Sequence, residues 1–529
     1  MSQNGTLGVR RSILTLQKEY EAGNKKPLED VVRAWKGIQE LPADDPRSFF
    51  ILGGYHGEPF DLRPAVDDLS KMDKYEYWGG WCNHGNVLFP TWHRIYVLKL
   101  EEALQSIVPG VMIPFWDETD EYSLAHGIPS ILTQPTFELD GVTIPNPLRS
   151  FKLPKDMNDE YWGDNIDGER SRYFKPKGYE TVRYPLSGLV GNPTVRAETE
   201  AHNAIFPDDA ANTELLNKNV ITWLHGGNPI PNKPFPHVVE NGIYESFRHC
   251  LRAPNFTVFS NTTSMKAWNN SRKEFVVALE TPHNDIHVAV GRFDFPAPRD
   301  EDSTSGRICG ANGDMGENNT AGLDPIFFFH HCNVDRMFWL WQKHNGHTDK
   351  LEVIKGYAGT DSSDSQGPTP MLAPGTVLNM KTPLYPFKHT DTAKDYISKD
   401  CFNIEKQLGY TYEPGSLEEK PEPLSLKAGH SAKTLVVSGM DRALFQGSFL
   451  VIAWATIDGA ERYLGYHAVL SRFSVTQCAN CRTHLQVVAH FPLRNLTEDE
   501  VSRATFRADF QHRGETLHPD LVIDVRVEG

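Results

Sequence analysis

The sequence predicts a mainly α protein, a helical bundle over most of its length followed by a small C-terminal β-sandwich-like domain. Three observations predict it. Long runs with apolar residues three and four apart recur through the first part of the chain, as in "LEDVVRAWKGIQEL" and "DPIFFFHHCNVDRMFWLWQKHNG". Short runs that alternate apolar and polar residues fill the last part, as in "SFLVIAWATI". Between them lies the Pro- and Glu-rich stretch "LGYTYEPGSLEEKPEPLSL". A chain of 529 residues, 39% hydrophobic and 11% aromatic, is long enough for two or three domains and can bury a core.

The elements follow in order. Val31, Val32, Trp35 and Ile38 mark one helix, and "TWHRIYVLKLEEALQSIV" marks a second that stops near Pro109. Residues 120 to 240 are rich in Pro, Gly, Asn and Asp, and loops are expected there. "WNNSRKEFVVALETPHNDIHVAVG" reads as two helical pieces separated at Thr281-Pro282. A Gly- and Asn-rich loop leads to a helix opened by Pro325 and stopped at Asn345-Gly346. Strands are expected in "KTLVVSG", "SFLVIAWATI", "YHAVLSRFSV", "HLQVVAHFPL" and "DLVIDVRV". The division is 1–413, a linker 414–425, and 426–529.

Charge narrows the partners. A formal net charge of −16 argues against nucleic acid or an anionic membrane, and no window has the apolar length of a membrane span. The first residues carry no signal-peptide pattern, so the expected compartment is the cytoplasm. Seven scattered cysteines (82, 250, 309, 332, 401, 478 and 481) do not form a disulfide framework.

The histidines sort into two groups. His283 and His287, four apart, share one helix face, and His330 or His331 opens another helix. His84 and His93 lie nine apart near a helix start, with His56 before them. Imidazole suits copper, zinc and iron. No H-E-x-x-H pattern is present, which argues against a zinc protease.

In their order and spacing, "GYHGEPF", "CNHGNVLFPTWHRIYVLKLEEAL", "IPFWDE", "ETPHNDIH" and "DPIFFFHHCNVDR" resemble the tyrosinases, type 3 copper proteins, and among them the fungal pro-tyrosinases. The resemblance implies a dicopper catalytic domain that uses dioxygen to hydroxylate monophenols in the ortho position and oxidise o-diphenols to o-quinones. It implies His56, His84 and His93 on one copper and His283, His287 and His331 on the other, with His330 a neighbour. It further implies a thioether between Cys82 and His84, a water-holding pair in Glu280 and Asn284, and Phe89 packed between the ligand groups.

Where plant enzymes of the family place a Phe over the copper, "MGENNTAGLDP" has Asn318. With the small Val288, this favours a tyrosinase over the two alternatives, a catechol oxidase and a haemocyanin-like oxygen carrier. "YTY" at Tyr410–Tyr412 resembles the motif closing the catalytic domain, so the β domain is expected to shield the site and keep the enzyme latent. Its plug residue is expected among Tyr466, Val469, Leu470 and Phe473, Cys478 and Cys481 of "CANC" are expected to deliver copper to the active site, and a copper donor protein is a candidate partner. Small phenols are the expected substrates, and self-association stays open.

Overall fold

Two long helices, Phe89–Ile107 and Ile326–Asn345, cross at the centre of the helical part and are buried along most of their length. The computed structural model describes residues 7–57, 80–158, 174–188, 193–227, 242–271, 275–291, 313–364, 371–373, 375–422, 428–445, 447–471, 485–512 and 520–529. Pro90 sits in the first turn of one central helix, where its missing N–H costs nothing. The other stops at Gly346, whose φ of 70° takes the left-handed conformation that ends a helix. Helix Lys26–Glu40 packs on the first of the pair and helix Glu280–Gly291 on the second.

The expected split at Thr281-Pro282 moves. The two helices are Thr262–Ser271 and Glu280–Gly291, and Pro282 lies in the first turn of the second instead of breaking it. Residues 120 to 240 are not all loop. Helix Asp209–His225 lies there, capped by the Asp208 side chain on the Ala210 and Ala211 N–H groups and closed by Gly226 at φ 73°. Its sequence, "DAANTELLNKNVITWLH", is polar along much of its length, so apolar spacing gives it little signal.

The chain ends of the helical part are tied together. Gly8–Arg10 pairs in parallel with Tyr410–Tyr412. This strand pair places Arg10, Tyr410 and Tyr412 around Asp335, which accepts from both tyrosine hydroxyls at 2.6 Å. Arg94 Nε donates to Asp335 at 2.5 Å, and Arg10 pairs with Glu101 at 2.9 Å. Every charge in this buried cluster therefore has an opposite partner, which buried charges require.

Among its described residues, the β domain holds two three-stranded antiparallel sheets. One orders Ala460–Val469, Phe449–Ile457 and Thr505–Gln511, and the other Gln486–Pro492, Thr434–Asp441 and Asp524–Glu528. Leu435, Val437, Phe449, Val451, Ala489 and Phe491 alternate inward and build its own core. The hairpin turn Asp458-Gly459 has positive φ at both residues, the geometry that fits strand twist. Strand Thr505–Gln511 was not expected, because "TFRADFQ" is half polar. The strand expected at "YHAVLSRFSV" begins and ends earlier, at Ala460–Val469.

The described part of the expected linker does not hang free. Asp117 accepts from the Ser416 N–H at 2.7 Å, and Arg336 donates to the Ser416 carbonyl at 2.6 Å and to Glu418 at 2.7 Å. Lys420 reaches Asn345 Oδ1 at 3.0 Å. Residues 416 to 420 thus run along the Ile326–Asn345 helix. Nothing in the sequence of the stretch signals this, because its anchors are two distant charges and its own main chain.

Candidate metal centre

His56 follows the short helix Phe49–Gly54, capped by Ser48. The chain there is pinched: a Cβ on Gly80 would stand 2.3 Å from the His56 carbonyl oxygen, and one on Gly322 would stand 3.0 Å from the His56 Cβ. Only glycine permits these approaches. His84 lies in the loop before helix Phe89–Ile107, and His93 lies in the second turn of that helix. Their ligand atoms all lie within 4.8 Å of one another, and all three residues are buried.

His283, His287 and His331 form the second group. Their Nε2 atoms stand 3.1, 3.2 and 3.4 Å apart in pairs. His283 Nδ1 donates to Asn284 Oδ1 at 3.0 Å and His287 Nδ1 to the Met315 carbonyl at 2.8 Å. With Nδ1 protonated, each Nε2 carries a lone pair. Lone pairs converging at such distances repel unless a cation sits among them.

The same device recurs in the first group. His56 Nδ1 donates to the Asn318 carbonyl at 3.0 Å and His93 Nδ1 to the Phe89 carbonyl at 2.8 Å. His93 Nε2 is buried with no hydrogen-bond partner, which fits a metal ligand. Burial lowers the His93 pKa to about 3 and takes His283, His287 and His331 well below the ordinary value, with mutual repulsion adding to it. All four are neutral at neutral pH, the form that binds copper.

The two groups face each other. His93 stacks on His331 with centroids 4.6 Å apart, His84 lies 5.5 Å from His283, and His56 lies 6.4 Å from His287. Two triads at this spacing fit a pair of copper ions. His330 sits beside them but is held otherwise. Its Nδ1 bonds Glu118 at 2.5 Å, and its other edge faces the main chain of His283. Burial keeps the pair uncharged by raising Glu118 well above the ordinary carboxylic range and lowering His330 to about 3. His330 too offers a ligand atom within 4.8 Å of those of His283, His287 and His331, and it differs from His331 in that its Nδ1 is bonded to Glu118.

Phe89 touches both groups, as the resemblance implies, 4.7 Å from His93, 5.6 Å from His84 and 4.9 Å from His283. Val288 is fully buried, and Asn318 is buried with its carbonyl on His56. Cys82 is buried and outside any disulfide. Both carboxylate oxygens of Glu280 are hydrogen-bonded. Oε1 accepts from the Gly85 N–H at 2.8 Å, and Oε2 accepts from the Thr262 N–H at 2.8 Å and its hydroxyl at 3.0 Å. It therefore ties the loop of His84 to the helix of His283 and His287. Burial raises its pKa, and these three bonds together with Lys266 counter that.

The plug candidates separate. Tyr466 donates to Asp285 Oδ2 at 3.1 Å and meets Trp223 edge to face at 4.7 Å, on the face of the helix opposite His283 and His287. It does not stand over the histidines. Val469 packs in the core of the β domain, and Leu470 is buried beside Ser471. Phe473, Cys478 and Cys481 lie outside the described residues.

Sequence reasoning missed four supports. Phe327 stacks on His331 with centroids 3.9 Å apart and touches His56 at 4.8 Å. Its position four before His331 on one helix was a usable signal. Glu118 lies in the quoted "IPFWDE" motif but had no assigned role. The Met315 and Asn318 carbonyls left no signal, since every residue has one.

The comparisons agree with this site. Residues 46–344 match the family model described as the common central domain of tyrosinase. The chain is 60% identical over 523 residues to tyrosinase HcTyr2 of a Hahella strain, covering 97% of this chain and 93% of that one. It is 39% identical over 509 residues to a tyrosinase of Aspergillus oryzae, covering 91% and 89%. Among solved structures, a tyrosinase from Burkholderia thailandensis at low pH superposes with a TM-score of 0.87 at 57% identity, covering 98% of this chain and all of that one. The bacterial relatives carry the higher identities, so the resemblance holds for the family and not for its fungal branch in particular.

Proposed function

Because the chain belongs to the tyrosinase family of copper oxidoreductases, we propose that it is a latent tyrosinase acting on both monophenols and o-diphenols. The carrying observation is the pair of facing, buried, neutral histidine triads. His56, His84 and His93 would hold one copper, and His283, His287 and His331 the other. When bound, the copper pair supplies the activation of dioxygen. The chain's own residues orient the phenol, keep water out and handle its proton.

Phenols lose their proton near pH 10, so a monophenol needs a base before it can ligate a metal. Asn284 and Glu280 are proposed to hold a water for that purpose. Asn284 Oδ1 is spent on His283, which leaves its amide N–H groups to donate to a water. Glu280 Oε1 accepts one bond and keeps a lone pair for such a water. Val288 and Asn318 are small enough to leave room for a ring. The thioether between Cys82 and His84 belongs to this reading too. It removes two hydrogens, and peptide mass mapping of copper-loaded protein would find that loss.

Residues from 426 onward are proposed as the shield, and the division at 413 and 425 with them. Support comes from the loop that orients one histidine of each triad. Ser448 Oγ donates to the Gly316 carbonyl at 2.8 Å, and the Asn318 N–H donates to the Ser471 carbonyl at 3.4 Å. Leu470 and Phe473 remain the plug candidates, and the copper-donor role of Cys478 and Cys481 remains a proposal. Among the described residues no helix is long and apolar enough to cross a membrane.

Oxygen uptake with a monophenol as sole substrate, before and after cleavage C-terminal to residue 422, tests this reading. Uptake that starts without added catechol and rises strongly on cleavage is expected. Uptake with catechol alone would instead favour a catechol oxidase, and equal rates before and after cleavage would remove the shield.

A further inference from the structure

The loop 313–324 orients one histidine of each triad through its main chain. The Met315 carbonyl accepts from His287 Nδ1, and the Asn318 carbonyl accepts from His56 Nδ1. The helical part anchors both ends of this loop. The Gly313 N–H donates to the Gly291 carbonyl at 2.8 Å, and Lys175 and Tyr179 donate to the Asp314 carboxylate at 2.8 and 2.7 Å. Arg183 holds Asp324 with two bonds, at 2.7 and 2.8 Å.

The β domain meets the middle of the loop. Ser448 Oγ accepts from the Ser471 N–H at 3.0 Å and donates to the Gly316 carbonyl at 2.8 Å. The Ser471 carbonyl accepts from the Asn318 N–H at 3.4 Å. Both serines stand at the open end of the hairpin Phe449–Ile457 and Ala460–Val469, whose first and last residues pair. They belong to a braced part of the β domain. Ser448, Ser471, Gly316 and Asn318 are all buried, so a bond lost among them is not simply replaced by one to bulk water.

The order of these bonds along the loop matters. The Gly316 carbonyl belongs to the peptide 316–317 and the Asn318 N–H to the peptide 317–318. The carbonyls that orient His287 and His56 belong to the peptides on either side, 315–316 and 318–319. A peptide is planar and turns as a unit, so fixing the two inner peptides restricts the two outer ones.

We propose that Ser448 is a positioning residue for the copper centre, through which the docked β domain fixes the rings of His287 and His56. Groups that orient ligating histidines influence metal affinity without touching the metal. Copper binding and β-domain docking are then linked, and each strengthens the other by the same factor. The inference rests on the two triads being copper sites. It does not depend on whether the β domain also covers them.

Hydrogen exchange on the full-length protein with and without copper, read by mass spectrometry, tests this link beside copper affinity from chelator competition. Copper should slow exchange in the fragment holding Asn318 and also in those holding Ser448 and Ser471. In Ser448→Ala the loop should still respond to copper and the β-domain fragments should not. Copper affinity of Ser448→Ala should fall about fivefold or more, at both triads alike, the lower end of ordinary coupling between sites. The wild-type comparison stands without the variant. Copper content of the same samples separates the readings. Two coppers per chain with β-domain exchange indifferent to copper overturns the link alone, and so does a Ser448→Ala that binds copper as tightly as wild type. A chain that takes up no copper overturns the metal reading and this inference together.

Discussion

The two histidine triads do the same work and are built differently. The second is nearly self-contained: His283 and His287 are one turn apart on a single helix, and His331 comes from the helix packed against it. The first is assembled from a helix end, a loop and a helix. It borrows its fixity from far along the chain. Asn318 orients His56 from 262 residues away, and Glu280 holds Gly85, next to His84, from 195 residues away. Helix geometry fixes the second triad, whereas the first depends on tertiary contacts that must form before it can bind metal.

Asp335 serves both triads, so its loss should remove the difference between them with the largest effect. It lies one turn after His331 and grips Arg94, the residue after His93. Asp335→Asn leaves Arg94 buried without its carboxylate, which costs about 3–5 kcal/mol. Thermal unfolding should show the loss, with both coppers affected alike. The pH dependence has a definite sign. Burial alone would raise the Asp335 pKa, but Arg94, Arg10 and the two tyrosine hydroxyls outweigh it and hold it below 3.8. A depressed carboxyl stabilises the fold fully above its unfolded value and ceases to do so as pH falls through the folded one. Acid unfolding curves of the variant should therefore lack the wild-type drop below about pH 4.

Glu280→Gln should sharpen the comparison. Gln cannot accept at both ends, so either the Gly85 tie or the Thr262 bonds fail. Copper affinity should fall about 10–100-fold at the first triad, the usual cost of losing a residue that orients a ligand, and less at the second. Metal titration reads this directly. Equal weakening at both sites would make Glu280 a general support.

A smaller effect is expected from Asn284→Ala, confined to the second triad, where it frees His283 Nδ1. Both coppers should stay bound, and monophenol turnover should fall more than catechol turnover. Steady-state rates on the two substrates separate these outcomes. A loss of equal size on both would mean that Asn284 acts only through His283.

The difference between the triads also explains what the sequence could show. His283 and His287 announce themselves by a spacing that any helix turns into one face. His56 has no such signature, and only the resemblance carried by "GYHGEPF" and "CNHGNVLFP" joins it to His84 and His93. The choice between His330 and His331 needed the resemblance too. What marks His330 off from His331 is the bond of its Nδ1 to Glu118, 212 residues earlier in the chain. The central helices were legible because their apolar spacing is strong. Helix Asp209–His225 and strand Thr505–Gln511 were not, because their positions are set by caps and by pairing with Phe449–Ile457. The anchoring of Ser416 and Glu418 was hidden for a similar reason, since it depends on Asp117 and Arg336 from elsewhere in the chain.

Copper content per chain, measured by elemental analysis on the wild type, His331→Asn and His330→Asn, tests the central claim most directly. Two coppers are expected in the wild type, one for each triad. His331→Asn should lose the copper of the second triad and nearly all catechol oxidation, while His330→Asn, whose ring is committed to Glu118, should keep both ions. A wild type that binds a single copper when fully loaded, or a His330→Asn that loses copper while His331→Asn retains it, would contradict the account.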